Sequence, residues 1–176
     1  MRPDLHFAGL MFMIAVMAGC SSDSGDEEAE SSEPPAPSFK EPLSETQAVL
    51  SKIDGYESWP VLQESAARPQ SEAHSNMFVT SYYNETAAAA IEATTLPFPD
   101  GSIFVKNNYP SADAAAPMAV TVMSKEAGAW YWIQATPDSQ VFVMEGNALE
   151  GKSVAMCIGC HKTAEDNDFF MTRTLE

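Results

Sequence analysis

The chain divides into three parts by the pattern of its apolar and polar residues. Residues 7–17 form one apolar run, residues 21–42 contain almost no apolar side chains, and periodic patterns begin near Ser44. Periodic alternation of apolar and polar positions is the main sequence signal of packed helices and strands. The pattern therefore predicts one folded domain over residues 44–176, which is long enough to form a single hydrophobic core.

Two short helices are predicted in the first half of this domain. The first is indicated by apolar residues at helical intervals, Val49, Ile53 and Tyr56. Ser44 and Gln47 have the spacing of a capping box at its start. Asn84 precedes an alanine-rich run that ends near Ala93, which predicts a second helix with Asn84 as its N-cap.

The remaining periodic segments have strand character, since they are short and rich in β-branched and aromatic residues. Residues 136–139 are turn-forming, so the last two strands are expected to pair as an antiparallel hairpin. The fold class predicted is α+β, a predominantly antiparallel sheet with flanking helices and a further helix at its C-terminal end. The predicted strands are Met77 to Tyr83, Ser102 to Lys106, Ala119 to Ser124, Trp130 to Ala135 and Gln140 to Met144.

The first 19 residues have the layout of an export signal. Arg2 precedes the apolar run, and Ala18 and Gly19 come directly before Cys20. The run is shorter than the about 20 apolar residues that a membrane-spanning helix needs. Its small-small-Cys ending resembles a bacterial lipobox, which implies cleavage before Cys20 and lipidation of that cysteine. An ordinary signal peptide with an incidental cysteine is the alternative.

Residues 20–43 combine acidic residues with serine and proline, which predicts a disordered, extended tether. Acyl chains on Cys20 would hold the domain on the periplasmic side of the bacterial cell envelope. Ser21, which follows that cysteine, favours the outer membrane by the usual sorting rule. An acidic docking tail is the alternative to a simple spacer.

The charge of the chain restricts its partners. The formal net charge is -16 at pH 7, whereas nucleic acids and anionic lipids are bound by basic surfaces. We therefore expect no nucleic-acid partner and membrane contact only through the lipid anchor. A basic redox cytochrome is the partner that this charge favours.

The sequence Cys157, Ile158, Gly159, Cys160, His161 is the attachment signature of a c-type haem. Two sulfurs three residues apart on a helical turn lie on one face, where each can bond a haem vinyl group. The histidine that follows can then reach the iron from below the ring. The motif predicts one covalently bound haem c with its iron, and His161 as an axial ligand of that metal.

Two other sites compete with haem for this cysteine pair. A redox disulfide motif usually follows a strand early in a βαβ unit, and a zinc site needs two further ligands, for which only His74 and His161 are available. Because only 15 residues follow His161, the haem has to be covered by the chain that precedes the motif. That layout favours a β-rich domain with a C-terminal haem over the common small electron-transfer cytochromes.

The chain resembles the cytochrome P-460 family, which includes the β-type cytochromes c′, over residues 77–172. The resemblance rests on four segments in a fixed order, residues 100–106, 128–132, 157–161 and 168–172. It implies an antiparallel sheet flanked by helices, a proximal motif histidine, and an open distal site that binds or transforms small nitrogen species. Relatives of this kind are commonly dimers, so a homodimer is expected.

The resemblance also implies a role for Lys106 at the haem, because in some members a lysine at this place is cross-linked to the porphyrin ring. On a strand, Phe104 shares a face with Lys106 and could form a wall of the haem site. An exposed lysine at a strand end is the alternative, since lysines are rarely buried. Met171 is expected to pack in the core rather than to ligate iron.

Several further side chains have two interpretations. His74 and Tyr83 either line the haem pocket or belong to the core, and Trp130 and Trp132 are expected to fill the core rather than to carry electrons.

Three functions follow as hypotheses. The first is a haem oxidoreductase acting on hydroxylamine or nitric oxide, with Lys106 as a catalytic residue. The second is a non-catalytic nitric oxide binding protein with an unmodified haem, and the third is a mono-haem electron-transfer cytochrome.

Overall fold

The computed structural model describes residues 37–171, so the predicted signal peptide, Cys20 and most of the predicted tether lie outside the described residues. The described chain forms a nine-stranded antiparallel sheet and three α-helices. Within residues 37–171, no helix combines the length and apolar character needed to cross a bilayer. The strands are β1 Ser38–Lys40, β2 Gln70–Ser71, β3 Met77–Tyr83, β4 Ile103–Tyr109, β5 Ala119–Glu126, β6 Ala129–Ala135, β7 Val141–Met144, β8 Asn147–Ala148 and β9 Glu150–Gly151. The helices are α1 Ser44–Lys52, α2 Glu85–Glu92 and α3 Ala155–His161.

The sheet is a meander whose strands follow chain order from β3 to β7, with β2 beyond β3 and β1 beyond β7. β8 pairs with β7 and β9 pairs with β6. The predicted hairpin between β6 and β7 is confirmed, although it is short, with Ala135 opposite Val141. The predicted α+β class is therefore confirmed. β4 continues to Tyr109, beyond the predicted end at Lys106.

Side chains alternate between the two faces of the sheet, and each face has its own core. One face packs against α1 and the turn that follows it, and we call this cluster the α1 core. The other face packs against α2 and α3, and we call this cluster the aromatic core. The α1 core consists of Val49, Ile53, Tyr56, Ile103, Val105, Val120, Val122, Tyr131, Ile133 and Ala135. The aromatic core consists of Leu62, Ala87, Ala90, Phe98, Phe104, Ala119, Met123, Trp130, Trp132, Phe142, Leu149, Val154 and Phe170.

The fold begins earlier than residue 44, because β1 lies within the segment predicted as tether. Ser38, Phe39 and Lys40 pair with β7, and the Phe39 ring lies 4.9 Å from that of Phe142. The Lys40 amine also forms an ion pair with the buried carboxylate of Glu150. The three residues of β1 stand among acidic residues and prolines and are too few to show a periodic pattern. Their strand conformation is therefore determined by their partners on β7 and β9.

The two predicted helix starts differ in outcome. Asn84 caps α2, since its Oδ1 accepts hydrogen bonds from the amides of Ala87 at 3.0 Å and Ile103 at 3.1 Å. The predicted capping box of α1 is wrong, because Leu43 is the N-cap and no side chain caps it. The Leu43 amide instead donates to Glu150 at 2.9 Å, an acceptor brought there by the sheet.

Candidate haem site

Helix α3 presents the haem motif on the side of the sheet that holds the aromatic core. Val154, just before the helix, is buried in that core, and Cys157 and Ile158 pack against it. Cys160 is exposed. The two thiols are free, so they are not joined to each other. Their spacing of three residues on one helix places both sulfurs on neighbouring positions of its surface.

His161 is oriented by two contacts. Its Nδ1 donates to the carbonyl oxygen of Phe169 at 2.7 Å, and its ring meets Trp132 edge to face with centroids 4.8 Å apart. A histidine that donates through Nδ1 keeps Nε2 as its metal-binding nitrogen. Burial lowers the pKa of His161, and the Lys106 charge lowers it further against the opposing effect of the Phe169 hydrogen bond. The imidazole is therefore neutral near pH 7, which is the form that binds metals.

Lys106 lies on the same face of β4 as Phe104, with Ser81 and Thr121 opposite it on the neighbouring strands. It is half-buried, and its Nζ lies 3.1 Å from Nε2 of His74. Burial lowers the pKa of Lys106 to about 8. Burial, together with the charges of Lys106 and His161, lowers the pKa of His74 to about 3. Lys106 therefore contacts His74, and its charge lowers the pKa of both His74 and His161.

Phe104 occupies the centre of the aromatic core. Its ring stacks on Phe170 at 4.0 Å and meets Phe98 edge to face at 5.1 Å. Cys157 and Phe169 pack against the same core, so Phe104 supports the elements that carry the haem motif. Both predicted tryptophans, Trp130 and Trp132, are buried there too, as expected.

The other predicted residues fall at different places. Tyr83 packs against the aromatic core beside Phe104, with ring centroids 6.5 Å apart. Met171 is 48% exposed, so the expectation that it packs in the core is wrong. It follows Phe170, the last buried aromatic residue of the described chain, and nothing within residues 37–171 buries its side chain.

Sequence reasoning missed two pairs of interacting side chains, His74 with Lys106 and Lys125 with Asp168. The contact of His74 with Lys106 arises because the short turn Glu72–His74 leads into β3, the strand beside β4. The second pair joins Lys125 to Asp168, two residues that lie 43 positions apart in the chain. Only the presence of Asp168 in the segment 168–172 could have drawn attention to it.

The residues present fit a c-type haem. They supply two free thiols on one helix, a neutral histidine whose Nε2 is available to bind iron, and aromatic side chains next to them. The competing sites fit less well: burial raises the pKa of Cys157 to about 11, whereas redox-active cysteine pairs have a lowered thiol pKa. Within residues 37–171, no group of three or more histidine, cysteine or acidic side chains could hold a metal ion, as a zinc site would require.

Comparison with known families agrees with this geometry. The family model described as Cytochrome P460 matches residues 53–172, which is well over half of the chain. No curated protein matches it. The match contains β3 to β7, the predicted haem-attachment motif Cys157 to His161 and the turn at Asp168. The chain therefore belongs to the cytochrome P460 family of haem cytochromes.

Proposed function

We propose that this protein is an envelope-anchored, mono-haem c-type cytochrome that binds or oxidises small nitrogen species at an open distal site. Cys157 and Cys160 hold the haem covalently, and His161 ligates the iron. The bound haem would supply the coordination position for the nitrogen ligand and the redox centre. The residues of the chain hold and orient that group and shape the space around it.

The orientation of His161 is the observation that carries this proposal. An imidazole whose Nδ1 is already hydrogen-bonded to Phe169 at 2.7 Å has one nitrogen left for iron. The same helix carries both free thiols. A histidine that served only the core would not need this alignment with the cysteine pair.

The two side chains that could act as a sixth ligand support an open distal site. Met171 is exposed and has Phe170, a core residue, between it and the haem helix. His74 has its Nε2 engaged by Lys106 at 3.1 Å. A small exogenous ligand would therefore displace neither of these two side chains. This arrangement disfavours the simple electron-transfer cytochrome, which needs six-coordinate iron.

Lys106 and His74 support the enzymatic version of the proposal. Oxidation of hydroxylamine releases protons as well as electrons, so the site needs groups that accept protons. Lys106, whose pKa is lowered to about 8, is such a group in its unprotonated form, and His74 orients it through their contact at 3.1 Å. A neutral lysine amine is also the form that could bond to a porphyrin carbon. The electrons would pass to a basic cytochrome, which the charge of -16 favours.

A nitric oxide binding protein without turnover is the second candidate. The observation that favours it is the density of aromatic side chains beside the motif, where Phe98, Phe104 and Phe170 lie with centroids 4.0 to 5.3 Å apart. Such apolar surroundings suit a small, weakly polar ligand. In this version the haem is unmodified and Lys106 only shapes the site.

The cellular placement is part of the same proposal. Lipidation of Cys20 would anchor the protein in the cell envelope, with outer-membrane placement favoured by Ser21, and the residues between Cys20 and β1 would act as the tether. A homodimer remains an expectation from the family resemblance.

The optical spectrum of the matured protein tests the proposal. We expect a c-type haem spectrum in the wild type, recorded oxidised and reduced beside the Lys106→Ala variant. Lys52→Ala is the matched control, because Lys52 is exposed on α1 and bound to Glu126. A strongly red-shifted reduced Soret band that only Lys106→Ala abolishes would favour the enzyme with cross-linked haem. An ordinary high-spin spectrum in all three proteins would favour the nitric oxide binding protein, and a low-spin six-coordinate spectrum would contradict the open site.

A further inference from the structure

A buried ion pair lies behind the turn that orients His161. The Nζ of Lys125 lies 2.7 Å from Oδ1 and 3.0 Å from Oδ2 of Asp168. The two side chains are 6% and 10% exposed. Buried ion pairs are poor stabilisers compared with apolar side chains of the same size, because both charges lose their hydration. This pair therefore calls for a reason other than stability.

Asp168 is fixed by two more hydrogen bonds. Its Oδ2 accepts from the Phe98 amide at 2.8 Å, and its carbonyl oxygen accepts from Trp130 Nε1 at 2.8 Å. Lys125 itself lies over the Trp130 ring at 4.9 Å. The carboxylate and the carbonyl of one residue are thus held by three different parts of the chain.

The backbone at this turn adopts a conformation that needs support. Asp168 has φ 50° and Phe169 has φ 64°, so two consecutive residues with side chains lie in the left-handed region. Aspartate tolerates this region, whereas phenylalanine does so rarely. The consequence of this conformation is that the Phe169 carbonyl faces Nδ1 of His161 at 2.7 Å.

We infer that the Lys125–Asp168 ion pair is a positioning device for His161. It holds the left-handed turn, the turn fixes the Phe169 carbonyl, and that carbonyl sets the orientation and electron-donating strength of the imidazole. Hydrogen bonds to the second nitrogen of a metal-bound histidine tune the ligand in this way. The inference rests on the proposed role of His161 as iron ligand. Lys125 and Asp168 touch neither haem nor substrate, so they are positioning residues.

The direction of the effect follows from the hydrogen bond. When the carbonyl is loosened, Nδ1 donates less well and the imidazole gives less electron density to the iron. Ferric iron is then less stabilised relative to ferrous iron, so the reduction potential rises. The bond between ferrous iron and histidine weakens, so its stretching frequency falls.

The test compares charge-changing variants of the holoprotein. Asp168→Asn keeps a residue that tolerates the left-handed region and an oxygen that can accept from Phe98, while it removes the charge and replaces the other acceptor oxygen by an NH2 group. Lys125→Met removes the other partner, and Lys125→Arg keeps the ion pair. Glu150→Gln is the control, because it breaks an ion pair between a buried carboxylate and the partly exposed Lys40 on the α1 side of the sheet. Resonance Raman spectra of the ferrous proteins and their reduction potentials are measured together with urea unfolding.

We expect Asp168→Asn and Lys125→Met to lower the iron–histidine frequency and raise the reduction potential. Lys125→Arg should stay close to the wild type. Glu150→Gln should lose stability without either shift, which separates positioning from general destabilisation. If Asp168→Asn does not mature, Lys125→Met and Lys125→Arg carry the comparison.

The wild type should show an iron–histidine band. If that band is present and both Asp168→Asn and Lys125→Met leave its frequency and the reduction potential unchanged, the inference is overturned while the proposed function stands. If the haem of the His161→Ala variant keeps the axial ligand found in the wild type, His161 is not that ligand. This result would overturn both the proposed ligand and the inference that rests on it.

Discussion

The indole of Trp132 meets the imidazole of His161 edge to face, with ring centroids 4.8 Å apart. Trp132 stands opposite Met123 on β5, in the middle of the sheet, and is 4% exposed. The histidine of the haem motif is therefore seated against a buried side chain of the central sheet. The sheet, rather than helix α3 alone, determines where an iron ligand would sit.

Replacing Trp132 by alanine should destabilise the holoprotein by about 3–5 kcal/mol, because a large buried aromatic side chain leaves a cavity. Urea unfolding followed by far-ultraviolet circular dichroism measures this loss. Met144→Ala is the control, since Met144 is 38% exposed at the end of β7, and a change within about 0.5 kcal/mol is expected there. A loss of similar size in both variants would contradict the placement of Trp132.

Replacing His74 by alanine removes the hydrogen-bond partner of Lys106. If Lys106 is bonded to the porphyrin, as the enzymatic version proposes, we expect a smaller fraction of haem with the red-shifted reduced Soret band. Attachment through the cysteines should be unaffected, which intact mass shows. Glu72→Ala, an exposed position in the same turn, is the control. A wild-type fraction of cross-linked haem in His74→Ala would refute a positioning role for His74.

Stability at high pH should depend on Tyr56. Burial raises the pKa of Tyr56, whose hydroxyl donates to Oδ1 of Asn107. A group with a raised folded-state pKa contributes stability that is complete below its ordinary pKa of about 10 and is lost as pH rises through the folded value. Between pH 10 and the folded value the unfolded chain has lost this proton and the folded chain has kept it.

The variant Tyr56→Phe should therefore be less stable than the wild type near pH 7, by about 1–3 kcal/mol, because Asn107 loses a partner. That difference should shrink as pH rises above about 10. The urea midpoints of both proteins, determined near pH 7 and above pH 10, measure this difference in stability. Met144→Ala, an exposed substitution that removes no titratable group, should show no such dependence. A difference for Tyr56→Phe that stays constant with pH would contradict a raised pKa of the buried Tyr56 hydroxyl.

Local signals in the sequence were enough to predict most of the elements. The strand Met77–Tyr83 and the cap at Asn84 follow from β-branched and aromatic residues and from a side chain that bonds its own helix. The haem motif is a local signal as well, since Cys157, Cys160 and His161 lie within five positions on one helix.

Features that depend on distant partners could not be predicted. β1 is a strand because it pairs with β7. Helix α1 begins without a side-chain cap because the Leu43 amide donates to Glu150, which lies far away in the sequence. The pair of Lys125 and Asp168, and the contact of His74 with Lys106, join residues that carry no pattern in common. Their geometry exists only once the meander has formed.

The central claim is that Cys157 and Cys160 hold one haem whose iron is bound by His161. Its most direct test is the intact mass of the protein, produced with a c-haem assembly system and measured under denaturing conditions. The account predicts a mass increase of one haem in the wild type, and none in the Cys157→Ser/Cys160→Ser double variant. A wild-type protein that releases its haem on denaturation, or a double variant that keeps it, would contradict the claim.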